Sequence, residues 1–139
     1  MSAKIDHLGI AVKSVAEARV FYERLGMKVS HEEVVEHEKV RTAMIPVGES
    51  RVELLEATTN DSVIAKFIAK HGEGLHHVAL RVDDIYTTFR NLKKEGVRLI
   101  SDEVKVGAGG HLYIFVHPAS AGGVLLELCQ DQPSSKAPR

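Results

Sequence analysis

Four side chains in this sequence have the types and settings that could do chemistry. His7 lies in DHLGIAV (6–12) and His77 in HHVALRV (76–82), both runs of alternating character. Glu53 sits inside RVELLEA (51–57) and Glu127 inside VLLELCQ (124–130), both rich in large apolar residues. A carboxylate held in an apolar strand is costly unless a cation or hydrogen bonds compensate it. Two imidazoles and two carboxylates with room for water would make a ligand set for a divalent metal such as Mn, Co, Ni, Zn or Fe.

An internal repeat explains why these four belong together. IDHLGIAVKSVAEARVFYERLGMKV (5–29) aligns without a gap over LHHVALRVDDIYTTFRNLKKEGVRL (75–99). His7 meets His77, Val12 meets Val82 and Gly26 meets Gly96, and the apolar register agrees at Ile5 with Leu75, Ile10 with Leu80 and Val15 with Ile85. Such a match marks one unit used twice.

Each unit opens with a strand-like alternation and continues into a helix pattern. The helical spacing takes in Val15, Ala18, Phe21, Tyr22 and Leu25 in the first copy, and Ile85, Phe89 and Leu92 in the second. Gly26 and Gly96 stand where a helix C-terminus favours positive φ. Three further strands are predicted in each copy: MKVSHEEVV, KVRTAMIPV and SRVELLEA, then VRLIS, HLYIFVHP and GGVLLELCQ. A helix over 61–71, capped by Asp61 or Ser62, joins the copies. The expected architecture is α+β: two tandem βαβββ modules, about 4–58 and 74–130, forming a curved mixed sheet around a concave metal site in a single domain over 1–130. The polar tail 131–139 is expected to be disordered.

Alternation then sorts the two adjacent histidines. Val78, Leu80 and Val82 take the face toward the helix, His76 with them, while His77, Ala79 and Arg81 face the other way. In the first copy Leu8, Ile10 and Val12 face the helix and His7, Gly9 and Ala11 oppose it. His7 and His77 are therefore equivalent, and His76 is the bystander. Glu53 and Glu127 take the parity opposite to their larger apolar neighbours, whereas Glu56 is expected on a solvated face. The remaining histidines, His31, His37, His71, His111 and His117, have no repeat partner of their own kind and default to surface or supporting roles.

Composition narrows the classes. The chain has 139 residues, 44% of them hydrophobic, and a formal net charge of −1. That balance gives no electrostatic reason for nucleic acid or an anionic membrane as partner. No apolar run approaches spanning length and the N-terminus lacks a signal-peptide core, so a cytoplasmic setting is the expectation. Cys129 is the single cysteine, which excludes an intrachain disulfide and a CxxC site; it is expected to be partly buried.

The residues also carry a family resemblance. DHLGIAV (6–12), VELLEATTNDSVIAKFIAKHGEGLHHVALRVDDI (52–85), VGAGGHLYIFVHP (106–118) and GGVLLELCQ (122–130) resemble the vicinal oxygen chelate superfamily and, within it, the methylmalonyl-CoA epimerase family. The resemblance implies one divalent ion per chain, Co, Mn, Ni, Zn or Mg, held by His7, Glu53, His77 and Glu127. It further implies epimerisation of (2R)- and (2S)-methylmalonyl-CoA by proton transfer through a metal-stabilised enolate, an acyl-CoA as partner, and a homodimer. Glu127 is expected as the first acid/base group and Glu53 as the second. Some members place another Glu on the third strand; this chain has Arg41, Thr42 and Ala43 there. Gly109 and Gly110 are the expected substrate contacts, through backbone N–H groups, against the plainer reading of a hairpin connection. Two other functions compete: a glyoxalase I type isomerase with the same ligand set, and a non-catalytic small-molecule binder of the same fold.

Overall fold

In the computed structural model, which describes residues 3–132, the chain runs β1 (Lys4–Ala11), α1 (Val15–Arg24), β2 (His31–Val35), β3 (Val40–Val47), β4 (Ser50–Ala57) and α2 (Val63–His71). It continues through β5 (Gly74–Arg81), α3 (Ile85–Lys94), β6 (Lys105–Val106), β7 (Leu112–Val116) and β8 (Leu126–Gln130). The described residues form two compact units. The amino-terminal unit is His7–His76; the carboxy-terminal unit is residues 77–132 together with 3–6. The boundary thus falls inside β1, directly before His7. Residues 133–139 of the expected tail lie outside the described residues.

Each unit is a βαβββ module with the same strand order. In the amino-terminal unit the order is β2-β3-β4-β1, and in the other β6-β7-β8-β5. The last strand of each module pairs parallel with its first strand and antiparallel with its third. That central placement hands the last strand's side chains a neighbour on both sides. Gly9 and Met44 lie opposite Glu53, and Ala79 and Phe115 lie opposite Glu127.

Alternation buries one face of each sheet under its helix. Val12, Val15, Ala43, Ile45 and Leu54 form the amino-terminal core, with Ile10, Ala18 and Tyr22 against it. Val82, Ile85, Ile114, Val116 and Leu128 form the other, with Leu80, Phe89 and Leu92 against it. A fully buried isoleucine such as Ile45 or Ile114 contributes about 1.5–3 kcal/mol.

The helices begin and end where local chemistry directs. Ser14 accepts the Glu17 amide at the start of α1, and Asp84 does the same for Thr87 at α3. The Thr87 amide and hydroxyl hold the Asp84 carboxyl below the usual carboxylate range. Gly26 and Gly96, at φ 86° and 79°, let the chain leave each helix in a conformation that side chains disfavour. Ser62 caps α2 by accepting the Ala65 amide. Asp61 instead accepts from Lys39 and Thr59, and the Lys39 hydrogen bond leads in lowering its carboxyl to about 2.

Several expectations need correction. Phe21 and Leu25, placed on the apolar stripe of α1, are each 61% exposed; the buried stripe is Val15, Ala18 and Tyr22. Leu8, midway along β1, is 36% exposed rather than in the core. MKVS does not join β2, which starts at His31. VRLIS forms no strand: Leu99 makes one isolated bridge to Val116, and β7 takes its ladder partner from Lys105–Val106 instead. Cys129 is fully rather than partly buried. Glu56 is not simply solvated, because its Oε1 accepts the Val15 amide at 2.8 Å. Gln130 plays the same part in the other module, accepting the Ile85 amide at 2.7 Å.

Candidate metal centre

The first strand of each module delivers an imidazole, and the last strand delivers a carboxylate beside it. In the amino-terminal unit His7 Nε2 lies 3.2 Å from Glu53 Oε1. In the carboxy-terminal unit His77 Nε2 lies 3.1 Å from Glu127 Oε1. All four side chains are buried: His7 is 0% exposed, His77 4%, and each glutamate 5%. The same two atoms meet at nearly the same distance in both repeats.

The spacing is what adjacent ligands of one cation require. Donors about 2.1 Å from an ion, at octahedral or tetrahedral angles, stand roughly 3.0–3.4 Å apart. Mixed nitrogen and oxygen donors suit Zn, Co, Ni or Mn. A buried carboxylate also needs compensating charge. Each unit thus carries a buried pair that fits a divalent ion.

Local sequence explains the room around these pairs. Gly9 beside Glu53 and Ala79 beside Glu127 keep the neighbouring strand low, so nothing bulky from it covers the carboxylate. Phe115 packs edge-on to His77 at 5.3 Å, and Tyr113 packs on Phe115 at 5.7 Å. His76, the bystander, sits edge-on to Phe67 of α2 at 4.9 Å. Arg81, expected on the same face as His77, is engaged by the fully buried Asp6, whose Oδ1 accepts from its Nε at 2.9 Å and its Nη2 at 2.7 Å.

One residue of the site escaped the repeat argument. His111 is 3% exposed, its Nε2 lies 3.5 Å from Glu127 Oε2, and its Nδ1 contacts the Ala108 carbonyl. Parity held the signal: His111, one residue before β7, continues the alternation of Tyr113 and Phe115, and Phe115 pairs with Glu127. Gly109 and Gly110 lie in a 3-10 turn, at φ 70° and 76°, that joins β6 to β7. The hairpin reading of that stretch is therefore met. Gly107, just before it, faces the Tyr113 ring so closely that an added Cβ would stand 3.0 Å from it.

Residues 6–115 match the glyoxalase/bleomycin resistance protein/dioxygenase superfamily. The chain belongs to that superfamily. The superfamily's named relatives narrow the comparison. The mitochondrial methylmalonyl-CoA epimerase of Homo sapiens is 39% identical over 129 residues, 91% of this chain and 73% of that one. A methylmalonyl-CoA epimerase solved in complex with methylmalonyl-CoA and NH4+ superposes with TM-score 0.91 at 36% identity, covering 99% of this chain and 100% of that one. A variant of the Streptomyces coelicolor methylmalonyl-CoA epimerase, in complex with 2-nitronate-propionyl-CoA, gives TM-score 0.89 at 37% identity over 97% of this chain and 98% of that one. The superfamily resemblance read from the sequence is thereby confirmed.

Proposed function

We propose that this chain is a metal-dependent epimerase of methylmalonyl-CoA, interconverting its (2R) and (2S) forms. His7, Glu53, His77 and Glu127 hold one divalent cation between them. The observation that carries this reading is the duplicated His–Glu pair, buried and matched atom for atom, in a chain similar to methylmalonyl-CoA epimerases over nearly its whole length. A single shared ion accounts for why both repeats keep the pair.

C2 of the substrate lies between a thioester and a carboxylate, and inversion requires a proton to leave one face and arrive on the other. When bound, a divalent cation supplies Lewis-acid stabilisation of the negative charge that develops on the oxygens beside C2. The chain's own residues do the rest. Glu127 moves the proton on one face and Glu53 on the other, each a positioned acid/base group of the kind that contributes about 10²–10⁴-fold. The third strand offers no alternative carboxylate: Thr42, 2% exposed, occupies β3 opposite Leu55. Phe115 and Tyr113 exclude water from the Glu127 side, which strengthens electrostatic contacts there. Gly109 and Gly110 meet the acyl portion at their turn, where the Gly110 N–H already donates to the Gly107 carbonyl at 3.0 Å. A homodimer in the cytoplasm completes the reading; Ile5, Leu75 and Ile100, each more than half exposed, are apolar surface suited to cover by a second copy.

Deuterium incorporation at C2 of methylmalonyl-CoA in D₂O tests this, comparing metal-stripped protein with the same protein plus Co²⁺. Exchange is expected only with metal. No exchange from protein with Co²⁺ demonstrably bound would move the assignment to a glyoxalase-like isomerisation.

A further inference from the structure

We infer that His111 is a positioning residue that fixes the carboxylate plane of Glu127. The inference rests on the assignment of Glu127 as metal ligand and acid/base group. Each oxygen of that carboxylate faces a different imidazole. Oε1 lies 3.1 Å from His77 Nε2, and Oε2 lies 3.5 Å from His111 Nε2. A glutamate has three rotatable side-chain bonds, so contact at one oxygen leaves the other free to swing. Contact at both defines where the lone pairs point, and proton transfer depends on that direction.

His111 is itself held from behind. Its ring is buried, and Nδ1 is hydrogen-bonded to the Ala108 carbonyl. The ring therefore bridges the Ala108–Gly110 turn and the Glu127 carboxylate. Its surroundings keep it there. Gly110 carries the turn into β7 and its carbonyl accepts from Gln132 Nε2 at 2.6 Å, while Gly107 leaves no room for a side chain against Tyr113. A row of rings, His111, Tyr113, Phe115 and His77, with centroids 6.4, 5.7 and 5.3 Å apart in turn, lines up the two imidazoles that flank Glu127. Groups that orient a ligating carboxylate typically govern metal affinity or activity by about 10–100-fold.

Two substitutions separate this role from support of the turn. His111→Gln puts an amide donor near the position of Nε2 and keeps the Glu127 arm; His111→Asn puts one near Nδ1 and keeps the Ala108 arm. For the full chain, α-proton exchange and Co²⁺ affinity are measured side by side, with thermal melts to confirm folding. His111→Asn is expected to lower kcat for exchange by about 10–100-fold at nearly unchanged KM and to weaken Co²⁺ binding by about tenfold, with His111→Gln near wild type in both. The reverse order, equal loss in both variants, or no loss in either would overturn the inference. If the wild-type chain shows no exchange, the epimerase reading fails, and the ratio of Co²⁺ affinities between the variants decides the His111 role by the same rule.

Discussion

The two modules share a strand order, a buried imidazole–carboxylate pair and a side-chain oxygen that accepts the first backbone amide of the helix, yet they dress the pair differently. Around Glu53 the facing strand supplies Met44 and Thr42, both essentially buried. Around Glu127 it supplies Phe115 and Tyr113, with His111 at the entrance to the strand and Nε2 toward the second carboxylate oxygen. Duplication supplies a matched imidazole–carboxylate pair in each module, and the opposing strand has diverged around it. Under the proposed function, this divergence lets a symmetric ligand set serve an asymmetric task, with Glu127 as the first base and Glu53 completing inversion.

Substitution of the two carboxylates should break that comparison most visibly. Glu127→Gln is expected to abolish α-proton exchange, a loss of about 10²–10⁴-fold, while the fold persists. Glu53→Gln should cost inversion on the same scale and yet retain measurable exchange without inversion. Following deuterium uptake and stereochemistry in one reaction checks both. Near-wild-type exchange in the Glu127 variant would remove the functional difference between the modules.

A smaller effect sharpens the structural side. The helix anchors differ only in charge: Glu56 accepts the Val15 amide and Gln130 accepts the Ile85 amide. A carboxylate at a helix N-terminus gains about 0.3–1 kcal/mol over a neutral acceptor. Glu56→Gln should therefore lower Tm by about 1–4 °C, and Gln130→Glu should raise it by a similar amount. Thermal melts at low ionic strength would show it; equal and null responses would mean the anchors act through hydrogen bonding alone.

These anchors also show where sequence reading stops. The repeat and the parity of its strands were enough to place His7, His77, Glu53 and Glu127, because backbone alternation alone decides which face a strand residue takes. Glu56 and Gln130 have the opposite parity from the site; Glu56 looked solvated and Gln130 gave no signal, since the helix start each one reaches, 41 and 45 residues away in sequence, is adjacent only after folding. His111 was missed for a related reason: it has no counterpart in the other module, so the repeat was silent about it. VRLIS carried the apolar pattern of a strand and lost its ladder to Lys105–Val106, a competition between segments for one edge of β7 that local propensity does not register. Phe21 and Leu25 fit helical spacing as well as Tyr22 does, and only packing against the sheet selected among them.

The central claim is that the two buried pairs serve one ion. Titration of the metal-free chain with Co²⁺, read by absorbance and calorimetry, tests it most directly. The account predicts one tight ion per chain, lost when either His7 or His77 is replaced by alanine. Two ions per chain, each surviving removal of the other module's histidine, would contradict it.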